Sequence, residues 1–289
     1  MANNKIGIDI GGTNLKVAWV EDNHISSEII ERGTPDNIDQ FRTVLWEILN
    51  SININNETRL GFSVPGVVDY TNGNIDLCPN LEYLNGINVK DLLQREECMV
   101  GNDADMALLG EISSNDLWEE NIGLVALGTG IGSSYYISHT GPWQSNLLSE
   151  IGHIKVASNG RRCTCGGLDC LETYFSGWSL ISQAKKSGLE VEDVYELFNL
   201  AQNSNQVASS LILQNIPYLG IAISSMINLT GINKVILTGK ISRSYDLFQE
   251  ALYNSVSNAL HPHAKKDFQV IKSSLIDHSS IIGAVARFK

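Results

Sequence analysis

Hydrophobic positions along the chain follow two different spacings. They run together or alternate over Lys5–Ile10, Arg59–Val64 and Ile122–Leu127, which predicts buried strands. They recur every three or four positions over residues 38–49, which predicts an amphipathic helix. Strands interspersed with helices of this kind are typical of an α/β protein.

One strand pattern occurs twice. The strand at Lys5–Ile10 is followed by a Gly-Gly-Thr-Asn turn and by a second apolar run at 15–20. The strand at Ile122–Leu127 is likewise followed by a Gly-Thr-Gly turn and a run at 132–137. Each pattern predicts a hairpin, and their likeness indicates two structurally similar halves.

The remaining pattern is mostly helical in the second half of the chain. Residues 141–177 are rich in Gly and Cys and are predicted to be irregular. The Ser-Ser-Asn-Asp break at 113–116 predicts the boundary between the halves. The other predicted elements are strands at 98–100 and 234–237 and helices at 104–112, within 180–229, and at 281–288.

Composition narrows the class of protein. The chain has 289 residues, of which 43% are hydrophobic and 18% charged, so it is long enough for two packed lobes. A net charge of -12 argues against a nucleic-acid surface, which needs clustered Lys and Arg. The apolar runs are strand-length and no signal peptide is visible, so we expect no membrane span and a cytoplasmic location.

The first glycine turn has the composition of a phosphate cradle. Glycines allow the backbone to approach oxygen atoms closely, polar side chains add donors, a lysine adds positive charge, and an aspartate can hold Mg²⁺ through water. A plain hairpin turn would use the same residues. The candidate ATP and Mg²⁺ ligands are Asp9, Gly11, Gly12, Thr13, Asn14 and Lys16.

The second glycine turn is ambiguous by itself for the same reason. Two such turns about 120 positions apart, each between predicted strands, favour phosphate binding over coincidence. Neither turn matches the Walker pattern. The candidate ligands here are Gly128, Thr129, Gly130 and Gly132.

Asp103 is the candidate general base. A hydroxyl group is a poor nucleophile, so a carboxylate must accept its proton during attack on the γ-phosphorus of ATP. Asp103 follows a predicted strand and opens a helix, whose dipole favours the ionised form. An N-cap aspartate would occupy the same position. Asp105 is a competing acid, but it is predicted to lie on another helix face.

Seven segments, in order, resemble the sugar kinases of the ROK family (repressors, open reading frames, kinases). The resemblance implies an actin-like ATPase (ribonuclease H-like) fold with two α/β lobes and a cleft between them. We expect a small lobe at 1–116, completed by a helix at about 278–289, and a large lobe at 117–277 with a zinc-binding loop at 141–177. The segments are residues 9–16, Pro65-Gly66-Val67-Val68-Asp69, Pro79-Asn80-Leu81, Asn102-Asp103-Ala104, residues 127–132, Glu150-Ile151-Gly152-His153 and the cysteine segment 163–172.

The resemblance also implies roles for particular residues. It matches Asp103 to the catalytic aspartate of the family and Gly239 to a glycine that contacts adenosine, although the second glycine of that pair is absent here. Paired donors and acceptors suit a polyol, because a site built on them rejects ligands that leave them unpaired. Each residue taken alone is equally compatible with an ordinary loop position. The implied sugar ligands are Asn80, Asn102, Asp103, Glu150, His153 and Glu172.

Three cysteines lie within eight residues. Cys163, Cys165 and Cys170, with His153, supply three thiolates and one imidazole, which is the donor set of a closed tetrahedral zinc site. Their spacing differs from the common paired motif, and the resemblance favours zinc over free cysteines. Such an ion is structural, because four protein ligands leave no open position. It would order the loop and fix one side of His153.

These observations predict an ATP-dependent hexose kinase that acts on a sugar hydroxyl, most simply the 6-hydroxyl of glucose, and that forms a homodimer as family members commonly do. N-acetylmannosamine kinase and fructokinase remain open. A sugar-responsive regulator would need a DNA-binding segment before the first glycine turn, where only a few residues are present. A silent sugar- or nucleotide-binding protein is a third reading, which the intact Asp103 and glycine turns argue against.

Overall fold

The computed structural model describes residues 4–138, 149–276 and 278–288. These residues divide into two compact units. The first contains 4–119 and 278–288, and the second contains 120–138 and 149–276. The part of the predicted zinc loop at 141–148 lies outside the described residues.

The first unit is built on a mixed sheet in the order β3-β2-β1-β5-β9, with β4 paired to β2, and on a small sheet β6-β7-β8. The strands are β1 (Lys5–Ile10), β2 (Asn14–Glu21), β3 (His24–Ile25), β4 (Ile30–Gly33), β5 (Arg59–Val64), β6 (Val67–Asp69), β7 (Asn74–Leu77), β8 (Ile87–Asn88) and β9 (Cys98–Asn102), and the helices are α1 (Ile38–Ser51), α2 (Val89–Leu93) and α3 (Asp103–Ser114). β1 pairs antiparallel with β2 and parallel with β5. The predicted first hairpin is confirmed.

Helix α1 forms where the apolar spacing predicted it. Phe41, Leu45, Ile48 and Leu49 are buried along one face. The side chain of Asn37 caps the helix by accepting a hydrogen bond from the Gln40 amide at 3.0 Å, which satisfies one N–H of the first turn. The apolar face covers the sheet and leaves the polar face in solvent.

The second unit repeats the hairpin beside a parallel sheet, in the order β11-β10-β12-β13. The strands are β10 (Ile122–Leu127), β11 (Ile131–Tyr136), β12 (Lys234–Thr238) and β13 (Gln269–Lys272), and the helices are α4 (Glu172–Phe175), α5 (Gly177–Lys186), α6 (Val194–Gln202), α7 (Gln206–Thr230) and α8 (Gln249–Ala259). The predicted second hairpin is confirmed. The segment predicted to be irregular as far as residue 177 ends earlier, because α4 begins at Glu172.

Helix α7 is the long core helix of the second unit. By length and composition it is apolar enough to cross a membrane, but 61% of its most apolar stretch is buried within the unit. Leu211, Ile216 and Ile223 are among its buried side chains. These contacts are those of a helix in the core of a folded domain.

Helix α9 (Ser279–Ala286) belongs to the first unit, although it follows the whole second unit in sequence. A Cβ atom added to Gly7 of β1 or Gly61 of β5 would overlap the backbone of α9 at Ile281 or Ala284. Where α9 crosses α3, a Cβ on Gly283 would overlap the Met106 carbonyl. The helix therefore lies closer to the sheet and to α3 than side chains would allow.

We expect Gly283→Ala to lower the free energy of unfolding by about 3 kcal/mol, the upper part of the range for overpacking. The loss should appear even though alanine favours a helix over glycine by about 1 kcal/mol. Chemical denaturation measures the change. Gly33→Ala is the matched control, because nothing lies within 4 Å of a Cβ added there. Equal stability of the two variants would contradict the close-packed crossing.

Candidate active site and metal centre

The first glycine turn, between β1 and β2, is held by hydrogen bonds to its carbonyl oxygens. Gly11 N–H donates to Asn14 O at 2.9 Å, and Thr34 donates to Gly11 O from its hydroxyl and to Thr13 O from its amide. Gly12, Thr13 and Asn14 are exposed. These hydrogen bonds fix the backbone of the turn and leave residues 12–14 at the surface. Asn14 also donates to Glu31.

Asp9, at the base of this turn, has a perturbed carboxylate. Burial raises its pKa, and hydrogen bonds from Ser63 and Ser280 together with the charge of Lys16 act in the opposite direction. Ser63 Oγ donates to Asp9 Oδ1 at 2.7 Å, and Lys16 is the cross-strand neighbour of Asp9. A buried carboxylate is stabilised in its charged form by a nearby cation. This environment fits a role beside Mg²⁺.

In the turn from β9 into α3, the helix cap and the candidate general base are two different residues. Asn102, not Asp103, is the N-cap, with Oδ1 accepting from the amides of Ala104 at 2.9 Å and Asp105 at 3.3 Å. Its Nδ2 donates to Gly66 O at 2.9 Å. Asp103 is the exposed first residue of α3. Asp103 Oδ1 also accepts from the Ala104 amide at 2.9 Å, so it adds to the cap that Asn102 provides and lies at the surface beside it.

Asp105, the competing acid, has a different environment. It is 8% exposed, and its carboxylate accepts a hydrogen bond from the Tyr70 hydroxyl. That hydroxyl accepts in turn from the Asn102 amide at 3.2 Å, and burial raises the pKa of Tyr70. The hydrogen bonds of Asp105 and Tyr70 thus stabilise the turn on which Asp103 lies. Tyr70 lies 35 positions away and carries no sequence signal for this role.

The Pro79-Asn80 motif lies near the first glycine turn within the same unit. A Cβ added to Gly12 would stand 3.8 Å from Asn80 Cβ. Cys78 Sγ donates to Pro65 O at 3.2 Å, so this segment also packs against the start of the Pro65-Gly66 motif. Asn80 is exposed. The first unit therefore brings Asn80 beside the predicted phosphate turn.

The second glycine turn, between β10 and β11, is fixed by the residues that open α5. Gly177 N–H donates to Gly128 O at 2.9 Å, and Trp178 N–H donates to Thr129 O at 3.3 Å. Glu172 Oε2 accepts from the Ile131 amide at 3.1 Å and would lie 2.6 Å from a Cβ on residue 130. The carboxylate of Glu172, a predicted sugar ligand, therefore packs against Gly130 and would have to shift if a side chain were added there.

Gly239 follows β12 and packs on the strand that leads to this turn. Its φ is +86°, and an added Cβ would stand 2.6 Å from Leu127 O. Next to the turn is a cavity of about 180 Å³, a candidate place for a nucleoside. Its lining includes Gly128, Thr129, Trp178, Val194, Tyr195 and Lys240.

The predicted metal ligands come together. The ligand atoms of His153, Cys163, Cys165 and Cys170 all lie within 4.8 Å of one another. The separations Cys165 Sγ to Cys170 Sγ and Cys163 Sγ to His153 Nδ1 are both 3.7 Å. Zn–S bonds of about 2.3 Å in a tetrahedron place two sulfurs about 3.8 Å apart. The donor set and its spacing therefore fit zinc.

The imidazole of His153 links this cluster to Glu150. Nδ1 is the ring nitrogen nearest Cys163, and Nε2 lies 4.0 Å from Glu150 Oε2. A Cβ on Gly152 would overlap the Ile131 carbonyl, so the Glu-x-Gly-His turn packs directly on the start of β11. Metal at Nδ1 would fix the ring and leave Nε2 to another partner.

Cys78 and Cys98 are free and buried, as predicted. Burial raises the pKa of both thiols, that of Cys98 to about 12. They are neutral thiols at neutral pH.

Comparison with known proteins defines the class. The model of the ROK family matches residues 5–289, so the chain belongs to the ROK family. The glucokinase of Thermotoga maritima is 26% identical over 98% of this chain and 96% of its own length. The xylose repressor of Bacillus spizizenii is 27% identical over 78% of this chain, which spans only 59% of that repressor.

Solved structures agree on the fold. A ROK family glucokinase from Streptomyces griseus, in complex with glucose and AMPPNP, superposes with a TM-score of 0.81 at 22% identity over 97% of both chains. The fold is therefore the actin-like ATPase fold of the ROK family.

Proposed function

We propose that this protein is an ATP-dependent hexose kinase that transfers the γ-phosphate of ATP to the 6-hydroxyl of its sugar, with Asp103 as general base. The arrangement that carries the proposal is the start of α3. Asn102 caps the helix, and the buried carboxylate of Asp105 accepts a hydrogen bond from the Tyr70 hydroxyl. The exposed Asp103 is therefore the acid placed to accept the hydroxyl proton.

The backbone turns and their polar neighbours take the nucleotide. Asp9 and Lys16, with the turn at residues 11–14, bind phosphate oxygens and magnesium. Gly128, Thr129, Gly130 and Gly132 bind phosphate from the second turn. Gly239 and the cavity lined by Trp178 and Lys240 take the nucleoside. Magnesium, when bound, neutralises charge that develops on the transferred phosphoryl group. The residues of the chain position the nucleotide and its phosphates.

The sugar is held by amide and carboxylate groups. Asn80, Asn102, Glu150, His153 and Glu172 are assigned to its hydroxyls. Glu172 also accepts a hydrogen bond from the Ile131 amide of the second turn. The same carboxylate would therefore contact both the hexose and the turn that binds phosphate. His153 and the cysteine cluster hold a structural zinc that orders the segment carrying Glu150 and Glu172.

Glucose is the first choice of substrate, supported by the glucokinase among the relatives. N-acetylmannosamine and fructose are the alternatives within the same reaction. Such an enzyme would act in the cytoplasm, where ATP and sugars are available, and as a homodimer.

A sugar-responsive regulator is the second candidate, because xylose repressors are among the relatives. The two functions are separated by a coupled assay of ADP release over hexoses and N-acetylhexosamines, combined with calorimetry of sugar binding. A kinase gives ADP with at least one sugar, and NMR of the product locates the phosphate. Sugar binding without ADP release from any sugar would refute the kinase and favour the regulator.

A further inference from the structure

Lys155 lies directly across from a metal ligand. Lys155 and Cys170 form an antiparallel bridge, closed on both sides by Val156 N–H to Asp169 O and Leu171 N–H to Ile154 O, each 3.0 Å. Side chains directly opposite in such a pair project to the same face. The backbone therefore holds the lysine beside the sulfur of Cys170.

The ammonium group makes a direct contact with that sulfur. Lys155 Nζ donates to Cys170 Sγ at 2.8 Å. Cys170 itself is fully buried, so the hydrogen bond reaches its sulfur from the exposed side of the cluster. Arg161, a nearby cation, is engaged elsewhere, with its guanidinium over the Tyr174 ring and a hydrogen bond to Thr173 O.

Position 167 leaves room for this contact. A Cβ on Gly167 would stand 2.5 Å from Lys155 Nζ and 3.4 to 3.5 Å from the sulfurs of Cys165 and Cys170. A side chain there would force the ammonium group to move from this position. The contact between Lys155 and Cys170 therefore depends on both the lysine and the small residue at position 167.

The net charge of the zinc-bound site explains what the hydrogen bond from Lys155 contributes. A zinc ion with three thiolates and a neutral imidazole carries one surplus negative charge, since two positive charges meet three negative ones. The chain is acidic overall, with a net charge of -12. A lysine ammonium in hydrogen-bond contact offsets that surplus at short range.

We propose that Lys155 determines how firmly the protein retains its zinc, by donating a hydrogen bond to Cys170 and balancing the charge of the three-thiolate site. The inference rests on the zinc assignment in the proposed function, but not on the kinase reaction. Partners of this kind affect metal affinity about 10- to 100-fold, and the effect acts on release of the ion rather than on phosphoryl transfer.

The test measures zinc release from the loaded full-length protein to a chromogenic chelator at fixed pH. We expect Lys155→Met to release zinc about 10- to 100-fold faster than the wild type. Gly167→Ala should do the same with the lysine still present. Lys186→Met, at an exposed lysine of α5, is the matched control and should release zinc like the wild type.

The double variant makes the test specific. If both changes break the same contact, the pair should release zinc no faster than the faster single variant. With cobalt in place of zinc, the sulfur-to-metal absorption band should shift in Lys155→Met and stay unchanged in Lys186→Met.

A Lys155→Met release rate equal to that of Lys186→Met would overturn the proposal, as would independent, multiplying effects in the double variant. Metal analysis that finds no zinc in the wild type would overturn it together with the zinc assignment. ADP release is measured separately on the same samples. Failure of the kinase assay with the Lys155 effect intact would refute the proposed function and leave this inference standing.

Discussion

Replacing Asp103 with asparagine is expected to lower kcat about 10²- to 10⁴-fold, the range for loss of a general base. Asparagine keeps the size of the side chain but cannot accept the hydroxyl proton. The cap of α3 is supplied by Asn102, so the helix should fold normally. Hexose affinity, measured by calorimetry, should therefore change much less than kcat measured by ADP release.

Asp91→Asn is the matched control for this experiment. Asp91 is an exposed aspartate in the first turn of α2, another helix of the same unit, and its replacement should leave kcat unchanged. If Asp103→Asn kept wild-type turnover, the base would have to be another group. A loss of folding in Asp103→Asn would instead contradict the assignment of the cap to Asn102.

Replacing Cys163 with serine is expected to remove the zinc and lower the free energy of unfolding by about 4 kcal/mol or more, as loss of a structural metal does. In a chain of this size that lowers Tm by roughly 8 °C or more. Glu150 and His153 lie on the segment that the proposed zinc would order, so we expect hexose affinity to fall with loss of the metal. Calorimetry and metal analysis on one sample measure both effects.

Cys98→Ala is the control for loss of a cysteine outside the cluster. It should retain zinc and hexose affinity. A chelator should reproduce the Cys163→Ser phenotype in the wild type and add nothing further to the variant. If the stripped protein bound hexose as tightly as the loaded one, the metal would have no part in shaping the sugar site.

Apolar spacing predicted the elements with strong one-sided burial. β1, β5 and β10 have the predicted limits, and α1 extends the predicted helix by two residues, because each buries an unbroken strand or helix face. The strands β6–β8 and the elements between residue 240 and α9 were not predicted. β8 has only two residues, and α8 buries only Leu252 and Val256, so neither carries a clear period.

Sequence motifs predicted that His153 and the three cysteines come together, and that each glycine turn joins two strands. The sequence allowed Asp103 as the N-cap of α3, whereas the structure has Asn102 there. Asn and Asp are both good N-caps, and the sequence alone does not show which of the two residues is the N-cap. The contacts of Tyr70 with Asp105 and of Lys155 with Cys170 join positions 35 and 15 residues apart. Only the fold brings them together.

Helix α9 has a consequence for how the protein is made. Ser280 of α9 hydrogen-bonds to Asp9, and the helix covers β1 and β5 at Gly7 and Gly61. A ribosome, however, delivers the whole second unit before α9 emerges. The N-terminal sheet therefore stays without this covering helix until the second unit has been synthesised, although domains generally fold in the order in which they are made.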